Sequence, residues 1–248
     1  MSDCQLSSLR PGYRALVFGA GGGIGAAIVR ALASDPHCGA IFAAARTGPV
    51  STGKVRGLRF DLTDEASIAE CVAAASIDAP LDFVFVATGL LHDAHIRPEK
   101  TLRALDAVTM ARAFQINTVG PALIAKHALP KLRKDEKAIF AALSARVGSI
   151  SDNRLGGWHS YRASKAALNM LIKTCSLELA WTHPKALCVT LHPGTVDTRL
   201  SEPFQGNVAE EKLFSPERSA SEMLTVLDKL APSQTGGLFA WDGQQIAF

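Results

Sequence analysis

The residues of this chain whose types and spacing could do chemistry are Tyr161 and Lys165, in the run Tyr-Arg-Ala-Ser-Lys. Residues four apart share one face of a helix, with Cβ atoms roughly 5–6 Å apart. A free tyrosine has a pKa of about 10, and a cation about 4 Å away at an effective dielectric of about 20 favours the phenolate by roughly 4 kcal/mol. The pair therefore predicts a tyrosine whose pKa is lowered toward neutral for general acid or base work, with burial of the phenol acting in the opposite direction.

A glycine-rich turn follows the first predicted strand, Tyr13 to Phe18, and precedes a predicted helix, Ala26 to Ala33. Glycine lets a backbone turn tightly and approach a pyrophosphate, whose charge then meets the helix N-terminus. The spacing Gly-x-x-x-Gly-x-Gly differs from the commoner Gly-x-Gly-x-x-Gly fingerprint, and a tight turn without a ligand is the alternative. The predicted phosphate-binding residues are Gly19, Gly21, Gly22, Gly23, Ile24 and Gly25.

Arg46 follows the second predicted strand, Ala40 to Ala44. An acidic residue at this place would bind the ribose 2′-hydroxyl of NAD, whereas a small residue followed by arginine leaves room and charge for the 2′-phosphate of NADP. The sequence therefore predicts NADP(H) as the cofactor, with NAD(H) as the alternative.

Strands and helices alternate along the rest of the chain. Further strands are predicted at 57–60, 81–87, 138–143, 187–191 and 237–241, and helices at 65–75, 107–133, from about Tyr161 through Ala180, and at 216–230. This alternation predicts a single-domain α/β fold of the Rossmann type, doubly wound, with a seven-stranded, mainly parallel sheet flanked by helices on both faces.

The carboxyl ends of these strands carry the polar and small residues of interest. In an open α/β sheet this edge binds the ligand. Besides the glycine turn, the residues that follow predicted strand ends are Arg46, Asp61, Thr88, Gly89, Ser144, Pro193 and Gly194.

Asn117 lies within the predicted helix 107–133, close to Gly120-Pro121. Proline inside a helix predicts a kink at that point. A buried asparagine needs hydrogen-bond partners, and a kink supplies free backbone groups and room for a water molecule.

Composition and charge exclude several classes of protein. The chain has 248 residues, 48% of them apolar, and a net charge of +3 without a basic run, which argues for a packed core and against nucleic-acid binding. Five widely spaced cysteines without a Cys-x-x-Cys pair indicate buried thiols in a reducing cytoplasm. Neither a signal peptide nor an apolar run of transmembrane length is predicted. His92 and His95 lack a third ligand at a telling spacing, so we expect no metal and a loop that borders the substrate.

With these residues in hand, the chain resembles the short-chain dehydrogenase/reductase family over essentially its full length. Two departures from the family's pattern are Phe18, where threonine is usual, and Ala87-Thr88, where Asn-Ala is usual; both remove hydrogen bonds that stabilise a turn. The short loop after Ala87 and the stretch Pro98 to Lys100 look most like the branch that contains sniffer-type carbonyl reductases and bacterial C-signal proteins. The resemblance is carried by Gly19-x-x-x-Gly23-Ile24-Gly25, Asp61-Leu62, Ala87-Thr88-Gly89, Asn117, Ser144, Tyr161-x-x-x-Lys165 and Pro193-Gly194.

This resemblance implies an oxidoreductase that transfers hydride between a nicotinamide and a carbonyl or secondary alcohol. Ser144 would donate a hydrogen bond to the carbonyl oxygen and Tyr161 would deliver the proton, while Lys165 would lower the pKa of Tyr161 and hold the nicotinamide ribose. Asn117 would hold a water linking Lys165 to solvent. The implied cofactor contacts are Asp61 and Leu62 at the adenine, Ala87, Thr88 and Gly89 beside the cofactor, and Pro193, Gly194, Val196 and Thr198 around the nicotinamide.

The resemblance also implies a substrate lid near 195–214 and a homodimer or homotetramer formed through the helices that bear Asn117 and Tyr161. Ala166, Leu168, Met170 and Leu177 are predicted on the outer face of the second helix. The lid favours an apolar or moderately polar small molecule, and Arg199 or His192 could accept an anionic group. An alternative on the same fold is a non-catalytic NAD(P)-binding sensor or interaction protein.

Overall fold

A computed structural model describes residues 6–48, 50–206 and 208–248, and its centre is one eight-stranded sheet. In chain order its strands are β1 (Tyr13–Phe18), β2 (Cys38–Ala45), β3 (Val55–Arg59), β4 (Phe83–Val86), β5 (Ala138–Leu143), β6 (Ala186–His192), β9 (Leu238–Ala240) and β10 (Gln245–Ile246). A separate parallel pair consists of β7 (Thr195–Val196) and β8 (Leu213–Phe214).

The strand order across the sheet is β10-β9-β6-β5-β4-β1-β2-β3. From β9 to β3 all neighbours are parallel, and β10 pairs antiparallel with β9. The predicted doubly wound parallel sheet is confirmed, but the predicted number of seven strands is wrong by one. The eighth strand has two residues, which is too short to show a period-two pattern in the sequence.

Six α-helices cover the two faces of the sheet. They are α1 (Gly23–Ser34), α2 (Glu65–Ser76), α3 (Ala107–Phe114), α4 (Gly120–Ala128), α5 (His159–Thr182) and α6 (Pro216–Lys229). Short 3₁₀ turns lie at Leu102–Ala104, Leu129–Lys131, Arg146–Gly148, Glu202–Phe204, Glu210–Lys212 and Pro232–Gln234.

The strands are apolar on both faces because each face has its own core. Ala15 and Val17 of β1 pack with α1 and α6, whereas Leu16 and Phe18 pack with α2, α4 and α5. Buried continuous apolar runs of this kind are typical of parallel sheets covered by helices on both sides.

The helix predicted at 107–133 is interrupted rather than continuous. A π-helical segment, Gln115–Val119, separates α3 from α4. Pro121, in the first turn of α4, has no N–H for the carbonyl of Asn117 four residues earlier, which is the bond that an α-helix would require. The irregularity therefore lies just before the predicted kink at Gly120-Pro121 and includes Asn117 itself.

The neighbouring strands β1 and β4 form the middle of the sheet, and a ligand would bind at their carboxyl ends. β1 is flanked by β2 on one side and by β4 on the other, so the strand order reverses between β1 and β4. A crevice at this switch point is the usual ligand position in a doubly wound sheet. No helix in the described part of the chain is long and apolar enough to cross a membrane.

Candidate active site

The glycine turn lies at the switch point, between the end of β1 and the start of α1. Gly22 is the N-cap of α1, and neither a side-chain cap nor an acidic residue occupies the first turn. The free N–H groups of a helix N-terminus bind anions, and a cap would compete for them. Gly21, Gly22 and Gly23 are exposed, and Ile24 is half-buried against the core.

Gly19 and Gly25 make the close packing of this turn possible. Gly19 has a φ of +84°, and a Cβ at this position would lie 3.0 Å from the carbonyl carbon of Ala87. A Cβ on Gly25 would collide with the carbonyl oxygen of Gly19. Both positions require glycine if helix α1 is to begin this close to the strand ends.

Ser144 and Lys165 lie together at the end of β5. The Nζ atom of Lys165 donates a hydrogen bond to the carbonyl oxygen of Leu143 at 2.8 Å, and the lysine is 2% exposed. Ser144 is also buried, and its backbone N–H donates to the carbonyl of Leu191 at 2.8 Å. Its Oγ atom is buried and has no hydrogen-bond partner among the described residues.

Tyr161 is on the first turn of α5, on the same helix face as Lys165. The lysine Nζ lies 5.9 Å from the centroid of the tyrosine ring. Burial raises the pKa of Tyr161 well above its ordinary value and lowers the pKa of Lys165 to about 7. The predicted lowering of the Tyr161 pKa by Lys165 is therefore wrong for the protein without a ligand, because desolvation outweighs the attraction of a partly neutral amine.

Asn117 uses its side chain to connect three segments. Its Oδ1 accepts the N–H of Leu90 at 2.7 Å, and its Nδ2 donates to the carbonyl of Leu90 at 2.8 Å and to Oγ of Ser164 at 3.1 Å. Ser164 in turn donates to the carbonyl of Tyr161. Asn117 thereby fixes the segment after β4 against α5, and a Cβ on Gly89 would lie 3.7 Å from both Asn117 Oδ1 and Lys165 Nζ.

Arg46, Asp61 and Leu62 lie at the other end of the cleft, after β2 and β3. Hydrogen bonds from Thr63, with added attraction from Arg46 and Arg112, lower the pKa of Asp61. Arg46 and Asp61 are exposed, but Leu62 is buried against Gly120. The side chain of Leu62 therefore belongs to the core, and only its backbone is available at the edge.

The two departures from the family pattern have different consequences. Phe18 is fully buried and packs edge-to-face on Phe60, with ring centroids 5.0 Å apart. Ala87 donates its N–H to the carbonyl of Phe18 at 2.8 Å. Thr88 is half-buried, and its Oγ1 has no hydrogen-bond partner within the described ranges. Phe18 thus contributes to the core, while Thr88 offers a free hydroxyl beside the glycine turn.

The segment Pro193 to Thr198 closes the cleft from above. The carbonyl of Pro193 accepts a hydrogen bond from Ser219 at 2.8 Å, and Gly194, with a φ of +81°, packs under Phe214. Val196 is buried, and a Cβ on Gly23 would lie 2.8 Å from Cγ2 of Thr198. Thr198 therefore covers the glycine turn directly.

His192 ends β6 beside this segment. Burial, followed by the nearby Arg146, lowers the pKa of His192 to about 4. The imidazole is therefore neutral at pH 7, and it does not provide the positive charge that an anionic substrate would need.

Two important residues were not singled out as site residues from the sequence. Glu99 is 5% exposed, and its carboxylate accepts hydrogen bonds from the N–H and hydroxyl of Ser160, next to Tyr161. Trp158, before α5, has its ring centroid 6.2 Å from that of Tyr161. The Gly156-Gly157-Trp158 run is the sequence signal that could have indicated an unusual entry into the helix.

The described residues contain no group of three or more histidine, cysteine or acidic side chains placed to bind a metal. His92 lies instead in the loop after β4, where its Nε2 is 2.9 Å from the carbonyl oxygen of Arg199. His92 therefore lies in a loop that contacts residue 199 of the predicted lid, and the border with a substrate remains a prediction.

Comparison with known proteins identifies relatives of this chain. C-signal of Myxococcus xanthus is 36% identical over 143 residues, which are 57% of this chain and 80% of that protein. NADPH-bound carbonyl reductase from chicken fatty liver has a TM-score of 0.79 and 28% identity, covering 97% of this chain and all of that one. The carbonyl reductase Sniffer of D. melanogaster shares the fold, with a TM-score of 0.80 and 24% identity over 95% of this chain and 99% of that one.

The family profile described as short chain dehydrogenase matches residues 13–208. That range includes the glycine turn, the Tyr161 and Lys165 pair and the strand ends that surround them. The chain belongs to the short-chain dehydrogenase/reductase family.

Proposed function

We propose that this chain is an NADP(H)-dependent oxidoreductase that reduces a carbonyl compound to an alcohol, with Tyr161 as the general acid. The observation that carries the proposal is the free hydroxyl of Ser144. It is buried, lacks a partner in the described structure, and stands at a strand end beside Lys165. A buried polar group without a partner is costly unless a ligand satisfies it, and a substrate carbonyl oxygen is an acceptor of the right kind.

The residues present fit a dinucleotide. The uncapped N-terminus of α1, the close-packed glycines and the free hydroxyl of Thr88 all face the same crevice edge at the ends of β1 and β4. Gly19 to Gly25 would hold the pyrophosphate, Asp61 and the backbone of Leu62 the adenine, and Ala87 to Gly89 the adjoining ribose. When bound, the nicotinamide supplies or accepts a hydride.

In carbonyl reduction, Ser144 would donate a hydrogen bond to the substrate oxygen as negative charge develops there. Tyr161 would then give its phenolic proton to the same oxygen. Burial keeps Tyr161 protonated at neutral pH, which is the state that a general acid needs before the reaction.

Lys165 and Asn117 would support this proton transfer. An amine with a pKa of about 7 exchanges protons readily at neutral pH, and protonation of Lys165 would favour the phenolate left on Tyr161. Lys165 would also hold the nicotinamide ribose. Asn117 fixes Leu90 and Ser164 around the pair, and the irregular backbone of the π-helical segment that contains Asn117 would hold the water for reprotonation.

NADP(H) is proposed over NAD(H) because of Arg46. Arg46 is exposed directly after β2, and no acidic side chain stands in its place. The similarity to a carbonyl reductase bound to NADPH supports the same choice.

Residues 195–214 are proposed as the substrate lid, with residue 207 outside the described ranges. Its first strand, β7, pairs with β8 at its end, so the lid is tied at both sides. Leu200 approaches Gly89, since a Cβ on that glycine would lie 3.7 Å from Cδ1 of Leu200. Pro193 and Gly194, just before the lid, and Val196 and Thr198, at its start, would enclose the nicotinamide.

We also propose that the protein forms a homodimer or homotetramer and that it is cytoplasmic. Met170 and Leu177 are exposed on α5 as predicted, but Leu168 is fully buried and Ala166 half-buried, so the predicted outer face is corrected to exclude Leu168. Cys38, Cys71, Cys175 and Cys188 are free thiols, which suits a reducing compartment, and Cys4 lies outside the described residues.

The function is tested by following oxidation of NADPH and NADH by the purified protein with a panel of aldehydes and ketones. Tyr161→Phe should reduce turnover at least about a thousandfold, since it removes the proton donor. It should change NADPH affinity less than about threefold, because the ring remains. Full activity in this variant would overturn the role of Tyr161. NADPH binding without turnover of any carbonyl would favour the sensor alternative.

A further inference from the structure

Trp158 has the backbone conformation least suited to its side chain. Its φ of 51° and ψ of 42° are left-handed, and it is the only non-glycine residue with a positive φ within residues 6–48, 50–206 and 208–248. Such strain persists where the surrounding structure enforces it, often at a ligand site.

Glu99 supplies the groups that enforce this conformation. The N–H of Trp158 donates to the carbonyl oxygen of Glu99 at 2.5 Å, and the buried Glu99 carboxylate accepts from both donors of Ser160. Two glycines with positive φ, Gly156 and Gly157, lead into the turn. Trp158 is thus held by main-chain and side-chain bonds on either side of its indole.

The indole of Trp158 belongs to a row of rings that runs from Tyr161 to the lid. Its centroid is 6.2 Å from that of Tyr161 and 5.0 Å from that of Phe204, at interplanar angles of 76° and 60°. Phe204 also packs on His92 at 5.7 Å, and His92 contacts the carbonyl of Arg199. We call Trp158, Phe204 and His92 the aromatic wall; all three are half-buried and keep accessible surface.

A small cavity next to Tyr161, with room for about one water molecule, is lined by Leu90, Leu91 and Ile96. The rings of the aromatic wall lie outside this cavity. Among the described contacts they touch Tyr161, one another and the carbonyl of Arg199, and none of them pairs with a charged side chain. A neutral ring therefore suits these surfaces better than an anion does.

We propose that the aromatic wall binds the ring of a neutral aromatic carbonyl compound and so determines the substrate class of this enzyme. The inference rests on the proposed carbonyl reduction at Tyr161. Aromatic rings gain from offset and edge-to-face contacts beyond the area that they bury, and a saturated ring of equal size does not. Trp158 and Phe204 are therefore specificity-determining residues, and Glu99 is a positioning residue.

The test compares benzaldehyde with cyclohexanecarbaldehyde in NADPH-dependent reduction. The ratio of the two kcat/KM values is measured in each variant, so that the different intrinsic reactivities of the aldehydes cancel between variants. Trp158→Gly keeps a residue that tolerates the left-handed backbone and removes the ring. It should lower the ratio about five- to tenfold, mainly by raising KM for benzaldehyde. Trp158→Phe should restore the ratio to within about twofold.

Ile77→Ala is the control, since Ile77 is 78% exposed at the end of α2 and belongs neither to the aromatic wall nor to the site. It should leave the ratio unchanged. An unchanged ratio in Trp158→Gly, in protein that melts normally and binds NADPH, would overturn the aromatic wall. Equal kcat/KM for benzaldehyde and 4-carboxybenzaldehyde in the wild type would overturn the neutral substrate class.

Failure of the proposed function itself gives a different result. If the wild type reduces no carbonyl, the wall is tested by binding alone, with acetophenone as the probe in the presence of NADPH. Saturable quenching of tryptophan fluorescence in the Trp181→Phe, Trp241→Phe double variant, in which Trp158 is the remaining tryptophan, supports the wall. The absence of saturable quenching in this variant overturns it.

Discussion

Lys165 holds an amine in a place where a full charge is expensive. It is 2% exposed and makes its hydrogen bond to the carbonyl of Leu143, and it forms no ion pair with a carboxylate among the residues that the structure describes. Burial lowers its pKa to about 7, so the amine is about half protonated at neutral pH. Such a lysine can gain or lose its proton when the charge of a neighbouring group changes, whereas a surface lysine stays protonated.

This pKa predicts how stability changes with pH. The unfolded lysine binds its proton up to pH of about 10, whereas the folded lysine releases it above about 7, so the unfolded state binds more protons in between. Lys165 should therefore add about 1.5 kcal/mol to the free energy of unfolding between pH of about 7 and 8.5 in the cofactor-free protein, seen as a steeper pH dependence in the wild type than in Lys165→Met. Both proteins are measured by urea denaturation.

Lys229→Met is the control for that prediction, because Lys229 is exposed at the end of α6. It should keep the slope of the wild type. The buried thiols, whose pKa values burial raises in the folded protein, ionise in the unfolded chain within this pH range, but they do so equally in the wild type and in both variants. Their effect therefore cancels when the pH dependences of the proteins are compared. An equal slope in Lys165→Met would contradict a lowered lysine pKa.

Arg46 should decide between the two nicotinamide dinucleotides. A charge-assisted contact to a phosphate is worth about 1.5–3 kcal/mol, so Arg46→Ala should raise KM for NADPH about tenfold or more. KM for NADH should change less than about twofold. Arg103→Ala, another exposed arginine, should change neither value. Equal effects of Arg46→Ala on both cofactors would remove the basis for NADP(H).

For single residues, the sequence predicted where a side chain lies in the fold better than it predicted the pKa of that side chain. Ser144, Tyr161 and Lys165 could be placed at one strand edge because strand ends and helix spacing are local properties. The pKa of Tyr161 could not be predicted, since the burial that raises it depends on residues from the whole fold. The buried Glu99 carboxylate was missed for the same reason.

The Glu99 carboxylate stabilises the N-terminus of helix α5, which lacks a side-chain cap of its own. The N-cap position is Trp158, whose side chain makes no capping hydrogen bond, and Glu99 takes over the role from another segment. A carboxylate near a helix N-terminus also interacts favourably with the helix dipole. The start of the helix that carries Tyr161 thus depends on the loop that borders the cavity.

Glu99→Ala should lower the free energy of unfolding by about 1–3 kcal/mol, because it leaves the buried donors of Ser160 without an acceptor. Ser160→Ala in that background should cost less than it does alone, and the coupling energy should reach about 1 kcal/mol. Glu178→Ala, at an exposed carboxylate on the same helix, should change stability by less than about 0.5 kcal/mol. Additive effects at Glu99 and Ser160, measured by urea denaturation, would contradict the coupling.

Among the elements, long buried strands and capped helices were predicted most accurately. The bounds of β1 and β5 match the prediction, and α2 begins at residue 65 as predicted, with Asp64 as its N-cap. The π segment at Asn117 and the strand β10 were not predicted. The π segment forms where Pro121 cannot donate the hydrogen bond that a continuous α-helix needs, and β10 has two residues, too few to show a pattern in the sequence.

The outer side of α5 bears on the assembly of the whole molecule. Met170, Leu177 and Trp181 are 68%, 57% and 90% exposed, and their spacing of seven and four residues places them on one face of the helix. An exposed apolar stripe of this kind is typical of an interface between copies.

Sedimentation velocity should therefore show a dimer or tetramer, and Leu177→Glu should shift it toward monomer because a charge enters the apolar face. Ile77→Glu is the control, since Ile77 is also exposed, at 78%, but lies at the end of α2. A monomeric wild type would contradict the proposed assembly through α5.

Taken as a whole, the candidate site is shared among six parallel strands. Its residues follow the ends of β1 to β6, and β1 must pair with β4, as β5 must with β6, before those ends become neighbours. Each of these pairings joins segments that are far apart in the chain. Catalytic competence should therefore be among the last properties gained by a refolding protein, and a nascent chain that ends before Pro193 should have none.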